Sequence, residues 1–137
     1  MKKKRILALF LAAVSCLSLA VSASAAGTTT RKATDFKDYD RTAWYAEAVS
    51  AAVDNGLLYG KSSSIIDPNG AMTRAEMAAI INRSFGCYAK ADISKYKDVS
   101  KDKWYFEDVA MAVQMGTYNG RSNTAMAPDA PITRQEA

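Results

Sequence analysis

Residues 72–77 read Met-Thr-Arg-Ala-Glu-Met, and residues 132–137 read Ile-Thr-Arg-Gln-Glu-Ala. A threonine three places before a glutamate is the signature of a capping box. The Thr73 hydroxyl can accept from the Glu76 amide, and the Glu76 carboxylate can return the bond to the Thr73 amide. Met72 and Met77 flank the box as a hydrophobic staple. Beyond it Ile80, Ile81 and Phe85 form an apolar stripe at helical spacing, and Gly86 supplies a stop. The stretch therefore predicts a helix from Arg74 to the glycine. Thr133 and Glu136 predict the entrance of a second such helix. We assign Thr73, Glu76, Thr133 and Glu136 to capping, hence to the fold.

Working outward, the two stretches belong to a duplication. A shift of 60 lays residues 36–77 on 96–137 without a gap, and 15 of the 42 pairs are identical. They include Asp38/Asp98, Trp44/Trp104, Tyr45/Tyr105, Gly56/Gly116, Gly60/Gly120 and Pro68/Pro128 as well as the Thr-Arg-x-Glu positions. Both copies must build the same supersecondary unit. In the first, Tyr45, Val49 and Val53 recur every four residues with Ala48 and Ala52 alongside, which predicts a helix over about 43–55 and its copy over about 103–115. Thr42 and Asp102 stand at the N-cap positions, and Gly56 and Gly116 where a left-handed C-cap belongs. A loop with an Asp67-Pro68-Asn69-Gly70 turn leads to the second helix, with Ile65-Ile66 as a short extended plug. The class is all-α, as tandem helix–loop–helix units. We place the first over 35–86 and the second, incomplete, over 95–137, joined by a linker at 87–94. The second copy stops in the first turn of its second helix, so we expect a fragment of a longer protein.

The formal charge of +4 is concentrated in Lys2, Lys3, Lys4 and Arg5; the rest of the chain balances 14 basic against 14 acidic residues. A neutral chain has no electrostatic reason to seek nucleic acid. There is no histidine, which excludes Ser-His-Asp and Cys-His catalysis and any imidazole metal site. Two cysteines cannot make a four-Cys centre or a disulfide framework. The cluster Asp35, Asp38 and Asp40 lacks the ligand ladder and glycine of a calcium loop, and nothing raises a carboxyl there for glycosidase work. No catalytic residue, metal or cofactor is expected.

The basic head is followed by an apolar run, Ile6 to Val21, and by Ala23-Ser24-Ala25. That order predicts a secretory signal peptide over 1–26, cleaved after Ala25 or Ala26. The apolar run is short for a membrane span of about 20 residues. Cys16 only loosely resembles a lipoprotein site, since Ala13 stands where leucine is preferred. Gly27 to Thr34 reads as a flexible leader. The mature chain is then exported, leaves the membrane, and keeps one cysteine, Cys87, read as a small buried hydrophobe.

The ordered set Asp35-Phe36-x-Asp38, Trp44-Tyr45, Val49 through Ala52, Gly56, Gly60, Asp67-Pro68 and Met72 to Glu76 resembles the S-layer homology domain. The second set, from Tyr96-x-Asp98 through Trp104-Tyr105, Gly116, Gly120 and Pro128 to Ile132–Glu136, resembles it again; Ala127 and Gln135 depart from the pattern. The resemblance implies part of a pseudo-threefold helical spindle, usually built from three tandem copies. It implies an exported protein held at the bacterial cell surface by non-covalent binding to secondary cell-wall polysaccharide or another peptidoglycan-linked polymer, often an anionic, pyruvylated glycan. It also implies that Arg74 and Arg134, which hold the family's arginine position, contact that glycan. At the first turn of a helix an arginine stands beside free amides and the positive end of the dipole, a setting that receives a carboxylate; a surface arginine or a pair with an acid such as Asp38 is the alternative.

Trp44 and Trp104 either stack on sugar faces or pack where the first helix meets the loop. Asp38 and Asp98 either bond sugar hydroxyls, orient the arginine, or form turns. Gly60 and Gly120 are backbone devices that also let a ligand approach. Tyr45 and Tyr105 read as core with a wet hydroxyl. Two other roles stay open: self-assembly of copies into a surface layer, and anchoring of an exoenzyme whose catalytic domain lies beyond residue 137.

Overall fold

The structure is a computed structural model that describes residues 31–137. The signal peptide and most of the leader lie outside the described residues. Among the described residues there are three α-helices and no strand: α1 (Ala46–Asp54), α2 (Arg74–Phe85) and α3 (Phe106–Met115), preceded by a 3-10 turn at Ala33–Asp35. The fold is all-α.

α1 and α3 start three residues later than their sequences predict, and Thr42 and Asp102 are not their N-caps. Tyr45 and Tyr105 hold that position, with no capping side chain. The polar residues serve the turn before the helix instead. Asp40 Oδ1 accepts the amide and hydroxyl of Thr42 at 2.8 and 2.7 Å, and the Ser100 hydroxyl donates to Asp102. The Ala46 and Phe106 amides then close tight turns onto Ala43 and Lys103. Side-chain bonds of this kind compete with a helix rather than begin one. α2, by contrast, begins and ends where its local chemistry puts it. Thr73 and Glu76 exchange both bonds of the box, at 3.2 and 2.7 Å, and Gly86 ends the helix in the left-handed region at φ 63°.

The buried face of α2 is not the Ile80, Ile81 and Phe85 stripe. Both isoleucines are half-buried and Phe85 is exposed. Ala75, Ala78, Ala79 and Asn82 go inward instead, at the i, i+3, i+4, i+7 spacing of one helix face. That face packs on α3, where Val109, Ala110 and Ala112 are buried. Small residues let the two backbones come close; large ones would hold them apart. The Asn82 amide donates to the Asp108 carbonyl at 2.8 Å and fastens the pair.

α2 thus leaves its own repeat and covers the first helix of the next. The main core follows from this: Ala75 and Ala78, the α3 face, then Ile93, Tyr96, Val99, Tyr105, Tyr118 and Met126. A smaller cluster of Ala33, Phe36, Val53 and Ile66 forms under the first loop. Of the expected plug only Ile66 is buried; Ile65 turns outward. Val49 and Ala52 are half-buried where their counterparts Val109 and Ala112 are fully buried, because α2 shields α3 and not α1. Tyr105 is core, but its hydroxyl is not wet: it donates to Asp129 at 3.1 Å, and burial with that bond pushes it up to about 12. Cys87 is half-buried, its thiol 3.6 Å from the Met111 carbonyl.

Candidate functional site

The site is built from loops that two aspartates shape. Asp38 accepts the Ile66 and Asp67 amides at 2.9 and 2.7 Å. Asp98 accepts the Met126 and Ala127 amides at 2.9 and 2.7 Å. Each pair of bonds spans some 28 residues and fixes the far limb of the loop. It also holds Asp67 and Ala127 at φ 56° and 53°, a left-handed conformation that costs about 1–2 kcal/mol in a residue with a Cβ. The Ile66 amide bond leads in drawing the Asp38 carboxyl below its ordinary value. At Asp98 burial opposes ionisation, but the Met126 and Ala127 amides outweigh it and the carboxyl is again lowered. Among the described residues neither aspartate bonds an arginine.

The Thr-Arg-x-Glu arginines differ in setting. Arg74 is buried at 5% exposure. Its Nε donates to the Met126 carbonyl at 3.1 Å, Nη2 to the Asn119 carbonyl at 2.8 Å and Nη1 to Glu136 Oε1 at 2.9 Å. The guanidinium lies 4.6 Å from the centre of the Tyr118 ring. Its partner is therefore Glu136 of the second repeat, not Asp38, and its role in this arrangement is to clamp repeat one to the loop of repeat two. The amides expected to be free at the entrance of α2 are also taken: Arg74 N bonds Ala130 O and Ala75 N bonds Pro128 O, both at 2.9 Å. An arriving carboxylate finds no donor there. Arg134 is exposed. Thr133 and Glu136 make the same reciprocal bonds as the first box, at 3.3 and 3.0 Å.

An open cleft of about 480 Å³ lies beside the first loop. Val49, Leu58, Ile66, Ala79 and Ile80 give it an apolar lining, and the loop adds Tyr59, Gly60, Lys61, Asp67 and Pro68. Glu76 and Arg83 enter from α2, and Trp104 from the second repeat. Gly60 is at φ 82°, and a Cβ there would stand 2.5 Å from the Phe36 ring; only glycine lets the loop lie this close. Gly120 is tight in the same way, against Tyr96. Lys61 is tied to the Ala71 carbonyl at 2.9 Å and to Glu76 at 3.3 Å. In repeat two Arg121 pairs with Glu136 at 3.1 Å.

Both tryptophans stand in solvent, Trp44 at 91% and Trp104 at 60% exposure. Core packing is thereby ruled out for either. Trp104, set edge-on to Tyr105 at 5.4 Å, borders the cleft. Of the residues singled out from sequence, the structure brings Trp104, Gly60 and Glu76 to one place; Arg74, Arg134, Trp44, Asp38, Asp98 and Gly120 lie outside that cleft lining. Tyr59, Lys61 and Arg83 escaped the sequence reading because that reading ranked positions by their identity between the copies. Asn119 stands where Tyr59 would repeat, Arg121 where Lys61 would, and the counterpart of Arg83 falls past residue 137.

A family profile described as the S-layer homology domain matches residues 35–78 and 95–137. The chain belongs to the S-layer homology family. It is 35% identical over 106 residues to the "Surface-layer 125 kDa protein" of Lysinibacillus sphaericus, covering 77% of this chain and 9% of that one. It is 27% identical over 135 residues to an "Endoglucanase" of Bacillus sp. (strain KSM-635), covering 97% and 14%, and 29% identical over 133 residues to a "Cell surface protein" of Thermoanaerobacter kivui, covering 93% and 17%. The chain spans only a small part of the length of these relatives, so likeness to a named enzyme is likeness in the S-layer homology region. Domains of this family anchor surface proteins and exoenzymes to the cell wall, and the protein is secreted and associated with the cell surface.

Proposed function

We propose that this S-layer homology region anchors its protein by non-covalent binding of an anionic, pyruvylated wall polysaccharide, and that the cleft between the first loop, α2 and Trp104 receives the sugar. The observation that carries the reading is the exposed Trp104 indole bordering an open cleft lined by Val49, Leu58, Ile66 and Ile80. An aromatic face suits the C–H surface of a sugar. Asp38, Asp98 and Arg74 serve this function by holding loops and repeats in place. The cargo is a surface-layer protein or an exoenzyme.

Sedimentation of the purified chain with isolated sacculi tests the reading. Binding should be strong to sacculi carrying their polymer and lost after the polymer is extracted. Trp104→Ala should weaken it by at least tenfold while leaving the melting temperature within a few degrees. If the protein instead self-associates and never pellets with sacculi, the region is an assembly module and the proposal fails.

A further inference from the structure

The cleft contains two cations, and only one of them is neutralised. Lys61 lies within 3.3 Å of Glu76 and donates to a carbonyl besides. Arg83 has no carboxylate within 4.0 Å among the described residues. It is half-buried in the last turn of α2. Its Nη1 donates to the Leu57 carbonyl at 3.0 Å, and its guanidinium stacks 4.1 Å from the centre of the Tyr59 ring. Among the described residues no other hydrogen bond engages it. A guanidinium held by one carbonyl and one aromatic face is oriented while it keeps an edge unused. That fork fits a carboxylate bidentately. A half-buried cation with no acid in ion-pair reach gains when an anion arrives.

From this, the geometry points to Arg83, seated on Tyr59 and Leu57, as the group that reads the carboxylate of the bound sugar, in place of the clamped Arg74. This inference rests on the wall-anchoring reading and makes it specific. The neighbouring charges agree with it. Of the two carboxylates in the lining, Glu76 is occupied by Lys61 and by the Thr73 amide, and Asp67 makes no ion pair with Arg83 within 4.0 Å, so Arg83 stays unpaired. The second repeat has no copy of the seat, because Asn119 stands at the Tyr59 position and has no ring to stack on. The two halves of the duplication are therefore not equivalent toward an acidic ligand.

The test compares one protein on two surfaces: sacculi with intact polymer, and the same sacculi after mild acid has removed the ketals that carry the carboxylate. Wild type should prefer the intact sacculi about tenfold or more, the worth of a charge-assisted bond. Arg83→Gln should bring that ratio near one while keeping the residual binding to acid-treated sacculi. Arg83→Lys, which keeps the charge and loses the fork, should fall between. Thermal melts of both variants check that the fold survives, since Arg83 also braces the first loop. A wild-type ratio retained in Arg83→Gln overturns the inference. So does an equal loss on both surfaces, which is what a merely structural role would give. Wild type that binds both surfaces equally removes the carboxylate and leaves wall binding; wild type that binds neither removes the anchoring reading as well.

Discussion

Arg74→Met is the substitution whose cost the structure states most directly. Methionine keeps the stem and deletes every donor. Two bonds from the guanidinium to the loop carbonyls of Met126 and Asn119 disappear, at about 1.5 kcal/mol each for a charged donor. The stack on Tyr118 goes with them, worth about 1 kcal/mol at a desolvated site. The lost ion pair adds little, because Glu136 keeps Arg121 at 3.1 Å and the Thr133 amide at 3.0 Å. Apolar burial of the methionine offsets about 1 kcal/mol. The net loss is about 3 kcal/mol, a large share of the 5–15 kcal/mol that holds a typical domain of this size. With a urea slope of about 1.5 kcal/mol per molar, the unfolding midpoint should fall by about 2 M. Far-UV circular dichroism of the purified chain gives that midpoint; the tryptophans are already in solvent and would report poorly. A shift smaller than about 0.5 M would refute the clamp, because bonds worth that little cannot hold the repeats together.

Two other outcomes follow from the loops. Gly60→Ala should lower stability by about 2 kcal/mol or more, since its Cβ would meet the Phe36 ring at 2.5 Å and the Ile65 carbonyl at 2.7 Å in a left-handed backbone. Gly86→Ala, left-handed but with open space around it, should cost only about 1 kcal/mol in the same thermal melts. The Asp98 carboxyl is lowered in the folded state, so its contribution is complete above the unfolded value near 3.8 and is lost as pH falls through the lower folded value. Asp98→Asn should be less stable at neutral pH and should lose less on acidification. Denaturant titrations from about pH 2.5 to about pH 7 check both limbs; parallel curves for the two proteins would contradict the amide cradle.

Local chemistry was legible in the sequence, and partnership was not. α2 could be bounded to the residue because Thr73, Glu76 and Gly86 act on amides one turn away. The starts of α1 and α3 were misread because Asp and Thr before an aromatic pair serve a helix cap and a polar turn alike. Periodicity marked α2 as amphipathic but chose the bulky side, Ile80, Ile81 and Phe85, whereas a close helix crossing selected Ala75, Ala78 and Ala79. That Asp38 and Asp98 grip amides 28 or 29 positions away depends on loop closure, which no short-range pattern encodes. The repeat directed attention to positions kept in both copies. Tyr59 is replaced by Asn119 and Arg83 lies outside the 42 paired positions, and so this side of the cleft was invisible until the chain was folded.

The forward step of α2 onto α3 puts packing out of phase with duplication. The block that shares one core runs from the Thr-Arg-x-Glu entrance of one period to the loop of the following period, across the boundary that the sequence suggests. Gain or removal of a whole 60-residue period therefore recreates the same joint wherever the cut falls. A protease trimming at the apparent border near residue 90 would, by contrast, split a core rather than separate two. During export the same stagger imposes an order: α2 has nothing to rest on until α3 has crossed, and Arg74 has no clamp until Met126 and Glu136 follow.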